Sequence, residues 1–441
     1  MNGTLRNDWY STLPKESNDV LSKSFGASVI FSEFTKDALP WLSLGKVRAS
    51  WGEIPQALGS GTTFGAYRYP GMAYGVNQFK WGSNFLMSTP DQIVDPNIRG
   101  SVTQQKEIGI DLEFVQGKYG ISATFWDGSE VGFPYALTVN GASGFSSLLT
   151  NIGKISKKGI EISLKARILD IKNLRWNATF NYADLIENDI VELSKEYGIT
   201  QTGNLGAIWG TGMPYQVHTE GKRWGQLFGN GIKRINGQPV LNEDGSYVRE
   251  GSQYFGSVLP RYTGGLQNQF TVFKNFQVNA NFDYQFGGKF ASLTQMFGSF
   301  SGLTERTAAV NDKGFSVRDA VADGGGVHVY GVNAEGQPVD YYVDARDYYQ
   351  GLVNNNTIDE FIYDLTFIKL RELSVGYHIP VAKLGLSKYV NNATFSVVSR
   401  NPLLIYAKTK DLDPSEISAT YGETGQLPGT RSLGFNLRIG F

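Results

Sequence analysis

Between Phe276 and Phe286 apolar and polar residues alternate without a single exception. Phe276, Val278, Ala280, Phe282, Tyr284 and Phe286 fall on one side, and Gln277, Asn279, Asn281, Asp283 and Gln285 on the other. Successive side chains of a β-strand point to opposite faces, so this segment has one greasy face and one wet one, a division that no helix would preserve. Its length suits a tilted strand crossing a bilayer, which needs about 9–11 residues, better than the shorter strands of soluble sheets. The carboxy-terminal segment repeats the pattern, with Leu433, Phe435, Leu437, Ile439 and Phe441 opposed to Ser432, Gly434, Asn436, Arg438 and Gly440.

The same ribbon recurs along the chain. Ile108, Ile110, Leu112 and Phe114 share a face, as do Tyr119, Ile121, Ala123 and Phe125, and Gln116-Gly117-Lys118 between them predicts a hairpin turn. Ile160 to Ala166 and Leu174 to Tyr182 form a second predicted hairpin with its turn near Asp170 to Asn173. Tyr262 to Val272 joins Phe276 to Phe286 through Lys274-Asn275 as a third. Further strands are expected around Leu5 and at Phe25 to Phe31, Leu42 to Trp51, Tyr215 to Leu227, Phe367 to Ile379 and Ala393 to Val398.

Short turns follow Val115, Leu169 and Phe273, whereas segments 53–101, 127–157, 184–213, 228–258, 287–360 and 402–430 read as long connections. Alternating short and long connections characterise up-and-down outer-membrane barrels, with short periplasmic turns and long external loops. Loops of this length count against a compact soluble domain. The expected fold is therefore all-β, a transmembrane up-and-down antiparallel β-barrel whose polar faces line a lumen and whose apolar faces meet lipid. The alternative is a soluble β-sandwich that turns the same apolar faces inward. Composition sides with strands, since aromatics reach 13% and charged residues only 18%. The longest uncharged stretches are broken by Pro134 and Pro214, so no transmembrane helix is expected.

Residue chemistry excludes several functions. Forty Lys and Arg stand against 41 Asp and Glu, so no basic field is directed at nucleic acid. Without cysteine there is no thiolate nucleophile or thiolate metal site, and His218, His328 and His378 are far apart in sequence. Asn242-Glu243-Asp244-Gly245-Ser246 lacks calcium-loop spacing and reads as a polar turn, and Gly324-Gly325-Gly326 lacks the strand-to-helix context of a phosphate loop. The acid pairs Glu187/Asp189, Asp411/Asp413 and Asp340/Asp344 read as loop carboxylates. No catalytic set, metal or cofactor is expected. Flat rings in long loops stack on sugars and bury area at low entropy cost, so Trp209, Tyr215, Trp224, Tyr348 and Tyr349 are the candidate ligand contacts.

Several segments in order resemble the carboxy-terminal barrel portion of SusC/RagA-like TonB-dependent outer-membrane transporters. They are Arg6-Asn7-Asp8-Trp9-Tyr10-Ser11-Thr12-Leu13-Pro14, Leu44-Gly45-Lys46-Val47-Arg48-Ala49-Ser50-Trp51-Gly52 and Gln104-Gln105-Lys106-Glu107-Ile108-Gly109-Ile110-Asp111-Leu112. Asn151-Ile152-Gly153-Lys154-Ile155-Ser156-Lys157-Lys158-Gly159-Ile160-Glu161 and Phe367-Ile368-Lys369-Leu370-Arg371-Glu372-Leu373-Ser374-Val375-Gly376-Tyr377 follow. The resemblance implies a plugged barrel of about 22 strands in the outer membrane of a Gram-negative bacterium. It also implies import of glycan or peptide oligomers, a SusD-like surface lipoprotein as cap and the TonB complex as energy source.

About thirteen strands at roughly 34 residues each make residues 1–441 the carboxy-terminal part of such a barrel, with the signal peptide and plug domain expected to be absent and Met1 read as an internal or artificial start. Phe435, Leu437, Ile439 and Phe441 would be the terminal signal for the barrel assembly machinery. A soluble or surface carbohydrate-binding sheet protein and an outer-membrane hydrolase are the competing functions.

Overall fold

The computed structural model describes residues 1–58, 75–88, 91–202, 214–417, 422–427 and 429–441. They fall into two compact units. Met1–Ile168, Ala178–Gln201 and Thr219–Arg223 form the first, and Leu169–Asn177, Thr202–His218 and Trp224–Phe441 the second.

Seven long strands build the first unit's sheet, hydrogen-bonded in chain order: β1 (Asn2–Trp9), β2 (Asp19–Ile30), β3 (Leu42–Pro55), β4 (Val102–Phe114), β5 (Tyr119–Thr138), β6 (Ser147–Ile171) and β7 (Leu174–Glu192). The pairings from β1 through β6 are antiparallel. Five more compose the sheet of the second unit: β8 (Tyr262–Val272), β9 (Phe276–Phe286), β10 (Phe367–Ile379), β11 (Asn392–Ala407) and β12 (Ser432–Gly440), again antiparallel and in order. The predicted tight turns hold their place. Val115, Gln116 and Gly117 turn with φ of 52°, 58° and 75°, and Phe273 and Lys274 with 48° and 66°, positive values that let short hairpin loops follow the right-handed twist of their strands.

Register sorts the faces. Lys46 pairs with Asp111 and Asp111 with Ser122, while one step along Val47 pairs with Ile110 and Ile110 with Ala123. On the polar face Asp111 accepts a 2.6 Å bond from Ser122 Oγ and lies 3.4 Å from Arg48 Nε and 3.6 Å from Lys46 Nζ. Gly109 leaves the space that Arg48 fills, because a Cβ there would come within 2.7 Å of the guanidinium carbon. Lys157 meets Glu130 at 2.8 Å, Lys158 meets Glu187 at 2.9 Å, and Arg371 meets Asp283 at 2.6 Å.

The other face carries Ile108, Ile121, Phe125 and Leu164 in the first unit and Val375, Phe395 and Phe435 in the second, all exposed. No second layer covers these apolar stripes among the described residues. A sandwich would bury them; a wall facing lipid leaves them bare. Where β8 breaks its apolar stripe with Asn268, Trp176 Nε1 donates to Asn268 Oδ1 at 3.1 Å, so the amide is not left bare on that face.

The structure revises the expected boundaries in two places. Segment 127–157 is mostly ladder rather than loop, because β5 and β6 stay paired out to Thr138 and Ser147. With 20 and 25 residues these strands run well past what a bilayer requires. Tyr215 to Leu227 is not a wall strand. It splits into Tyr215–Val217 and the start of Gln226–Ile232, which pair with each other and with Arg249–Ser257 in a separate small sheet.

The lipid assignment yields a test. Val375→Arg in β10 should cost about 2–4 kcal/mol in a full-length transporter refolded into phospholipid vesicles, while Ser374→Ala one residue away stays within about 1 kcal/mol. Denaturant titration followed by gel heat-modifiability reads both. Equal effects would mean that the two faces share one environment.

Candidate functional site

The long connection 287–366 folds on a core of its own. Helix α1 (Leu293–Phe300) starts at Ser292, whose Oγ accepts from Gln295 N at 3.1 Å. Helix α2 (Ala345–Asn354) starts at Asp344, whose carboxylate accepts from the backbone N–H groups of Arg346 and Asp347 at 2.9 and 3.3 Å. Their buried faces meet around Met296, Tyr349, Leu352, Val353, Ile358 and Phe361. Arg306 closes this core, donating to Glu360 Oε2 at 2.6 Å with its guanidinium 5.6 Å from the Tyr349 ring and 5.7 Å from that of Phe361. The small sheet packs on the same body: Asp359 Oδ2 accepts from Ile232 N at 2.7 Å.

The five candidate aromatics separate into two groups and one outlier. Trp209 lies outside the described residues. Tyr215 stacks on Phe228 at 6.3 Å, and Phe228 tilts against Tyr254 at 5.5 Å, so an aromatic row crosses the small sheet and ends at an exposed ring. Trp224 sits 5.1 Å from the ring of His218, and burial pushes that imidazole down to about 4, so it is neutral at physiological pH. Tyr348 is half-buried on α2, 6.1 Å from Tyr247. Tyr349 points the other way. It is 6% exposed and its hydroxyl donates to the Arg306 carbonyl at 2.7 Å, which makes it a packing residue. Residue type had flagged Tyr348 and Tyr349 alike; only the 100° rotation between helical neighbours separates them.

Two cavities flank α2. One of about 630 Å³ is lined by Ser299, Thr307, Arg318, Arg346, Asp347 and Gln350 among others. The second, about 330 Å³, is lined by Asp244, Tyr247, Tyr342, Asp344, Asp347 and Tyr348 among others. Each acid pair has a member spent on structure. Glu187 holds Lys158, Asp340 bonds His328 Nε2 at 2.8 Å, and Asp413 bonds Lys369. Asp244 caps its own turn, accepting from Ser246 N at 2.9 Å.

Sequence reasoning missed the charged clasps on segment 408–425. Lys369 Nζ, in a residue only 2% exposed, donates to Asp413 Oδ2 at 2.6 Å, Ser415 Oγ at 2.9 Å and Glu416 Oε1 at 3.4 Å. Arg371 Nη1 reaches Glu416 Oε1 at 2.7 Å. A bulge between Leu370 and Glu372 puts Lys369, Arg371 and Glu372 on the polar side of β10. Farther on, the buried Glu423 accepts from Ser292 Oγ at 2.6 Å, Thr294 N at 2.9 Å and Thr294 Oγ1 at 2.7 Å at the start of α1. Asp364 gathers Thr366, Lys408 at 3.0 Å and Lys289 at 3.3 Å.

The family model described as "TonB dependent receptor-like, beta-barrel" matches residues 1–259. Similar curated proteins include TonB-dependent receptor P26 of Formosa agariphila, 22% identical over 432 residues and covering 90% of this chain and 40% of the relative. TonB-dependent receptor P3 of the same organism is 22% identical over 307 residues, covering 66% of this chain and 28% of its own length. TonB-dependent receptor SusC of Bacteroides thetaiotaomicron is 22% identical with 99% of this chain and 42% of its own length covered. Among solved structures, that of the RagAB peptide importer in its closed-closed state superimposes with a TM-score of 0.72 at 16% identity, over 99% of this chain and 45% of that one. The chain thus spans less than half the length of these relatives.

The clasps set a pH response. Burial raises the carboxyls of Asp364, Asp413 and Glu423, but hydrogen bonds prevail: from Thr366 and Lys408 on Asp364, from Lys369 and Ser415 on Asp413, and from Ser292 and Thr294 on Glu423. All three end below the ordinary carboxylate range, Asp364 at about 2. Groups depressed in this way stabilise the fold above the unfolded value near 4 and lose that contribution as pH falls through the folded one. Amide exchange in 408–425 should therefore be flat from pH 8 to about 5 after correction for intrinsic rates, then accelerate below about pH 4. Acceleration between pH 7 and 5 would show that other groups hold the segment.

Proposed function

This chain belongs to the TonB dependent receptor-like β-barrel family of the outer membrane, and from that premise we propose that it forms the carboxy-terminal wall and external loops of a SusC/RagA-type importer of nutrient oligomers. The observation that carries the reading is the sidedness of the sheets: uncovered apolar stripes on one face and paired charges on the other. A channel wall needs both, and a soluble binding sheet needs neither. Among the described residues β1 and β12 end the strand order, and a wall in hydrocarbon calls for further strands, because unpaired backbone is not tolerated there. The remainder of the barrel and the plug thus belong to chain outside residues 1–441, and engagement of the TonB complex to that same part. A SusD-like lipoprotein caps the loop side.

The cargo is a glycan or a peptide. A peptide importer stands among the structural neighbours, and an aromatic row with hydroxyl-rich cavities suits sugars equally. Tyr215, Trp224 and Tyr348 are the stacking residues. The protein works by binding and passage, with no hydrolysis, since each of its acid pairs has a member tied into the structure.

Two experiments test this in a full-length transporter. Uptake of fluorescent maltooligosaccharides and of fluorescent oligopeptides should be TonB-dependent for one of the two. Trp224→Ala with Tyr348→Ala should reduce that uptake about tenfold, the loss of roughly 1.4 kcal/mol of stacking. Undiminished uptake would remove these rings from the ligand path. Phe441 ends the alternating stripe of Phe435, Leu437 and Ile439 and is almost fully exposed, open to recognition by the assembly machinery. Phe441→Ser should lower the outer-membrane yield several-fold at unchanged synthesis, measured by quantitative blot of membrane fractions; an unchanged yield would place the signal elsewhere.

A further inference from the structure

Every acceptor that satisfies the Lys369 ammonium comes from the segment after β11. Asp413 Oδ2, Ser415 Oγ and Glu416 Oε1 surround it, and among the described residues no group of the wall strands accepts from it. Arg371 differs, because Asp283 on β9 holds its Nε at 2.6 Å while Glu416 and the Ser415 carbonyl take its other nitrogens at 2.7 and 3.3 Å. Segment 408–417 therefore lies on the polar face of β10 as a strap. Thr409 Oγ1 donates to the Asp364 carbonyl at 2.7 Å, and Gln426 Nε2 donates to the Glu416 carbonyl at 2.7 Å. Lifting the strap alone would strip the Lys369 ammonium of all three of its acceptors and leave it only Asp283, its cross-strand neighbour, which already holds Arg371, and that is unfavourable. Lifting it while another anion takes Asp413's place would not.

We propose that Lys369 and Arg371 are a recognition site for carboxylate-bearing oligomers, occupied in this structure by Asp413 and Glu416 of the strap acting as an internal mimic. A carboxylate of the incoming oligomer exchanges with Asp413 on Lys369, Arg371 stays anchored by Asp283, and the strap moves off the polar face. Acidic peptides and uronate-containing glycans share the chemistry required. This rests on the import reading for its purpose but not for its measurement.

The chain has no cysteine, so Thr409→Cys introduces a single thiol at a strap residue that is 5% exposed while the strap is closed. In the detergent-purified full-length transporter, freed of any other cysteine, the maleimide labelling rate of that thiol reads strap opening. Oligoglutamate or oligogalacturonate should raise the rate about tenfold, and maltohexaose, oligoglycine or potassium chloride at matched ionic strength should not. A response to only one of the two acidic oligomers assigns the cargo class. Asp413→Asn with Glu416→Gln should give the fast rate with no oligomer added, leaving Lys369 and the wall intact.

A rate that rises equally with potassium chloride would mean simple screening and overturn the proposal, as would a slow rate in the double variant. Labelling that responds to acidic oligomers that cells then fail to import would sustain the strap and sink the import reading. Import of those oligomers with no labelling response would do the reverse.

Discussion

Backbone polar groups in hydrocarbon have no water to fall back on, and everything else in this molecule follows from that constraint. A strand facing lipid must place each N–H and C=O in a ladder, so neighbours in the chain become neighbours in the sheet, antiparallel and in order. Long pairings such as Val102–Phe114 with Tyr119–Val131 satisfy thirteen consecutive residues without interruption. Once the ladder is fixed, the two-residue period leaves the side chains no choice of face. The apolar stripe then has to be bare, and the polar stripe has to solve its own electrostatics.

That second problem is met by cross-strand pairing. Lys46, Arg48, Asp111 and Ser122 form one cluster over three strands, and Asp283 with Arg371 joins two others. Single surface ion pairs contribute little, about 0–1 kcal/mol, so these clusters matter less for stability than for what they leave available. A cation with a partner on the neighbouring strand is part of the wall. A cation such as Lys369, whose partners all sit on a connecting segment, ties the wall to something that is not wall. The same side-chain chemistry serves a fixed role in one place and an exchangeable one in the other, and the identity of the partner's backbone segment decides which.

The strands were legible because their signal is local and redundant. Phe276 to Phe286 needs no long-range information, since each residue votes for the same face, and its observed bounds coincide with the periodicity. The signal failed where alternation weakens without the ladder stopping. Asp127 to Thr138 contains glycine, proline and mixed polarity, yet its backbone stays paired with Ser147 to Lys158, because the ladder needs only backbone groups and not a regular choice of side chain. Tyr215 to Leu227 failed the other way, keeping aromatic content while the chain folded back on itself. The site was legible only as residue types. Nothing in the sequence says that Tyr348 is half-buried at one cavity beside α2 while Tyr349 is buried at the edge of the other, or that Asp413, forty-four positions away, belongs to Lys369. One trace of the latter was present: Lys369, Arg371 and Glu372 crowd a strand whose alternation slips at that point, and the slip is the bulge that directs them inward.

The loops, finally, are not slack between strands. Segment 287–366 buries Met296, Tyr349, Leu352, Ile358 and Phe361 about two capped helices and a half-buried arginine, so it carries an apolar core. Among the described residues, 408–417 and 422–425 have no comparable core and are held largely by their carboxylates at Lys369, Arg371, Ser292 and Thr294. Apolar cores dissolve cooperatively, whereas a clasp of a few charge-assisted bonds opens locally as soon as its acceptors are replaced. The external face therefore combines a rigid body that can present aromatic rings at fixed spacing with a neighbouring segment whose attachment responds to charge. Any anion reaching β10 competes for the attachment of the second without disturbing the first.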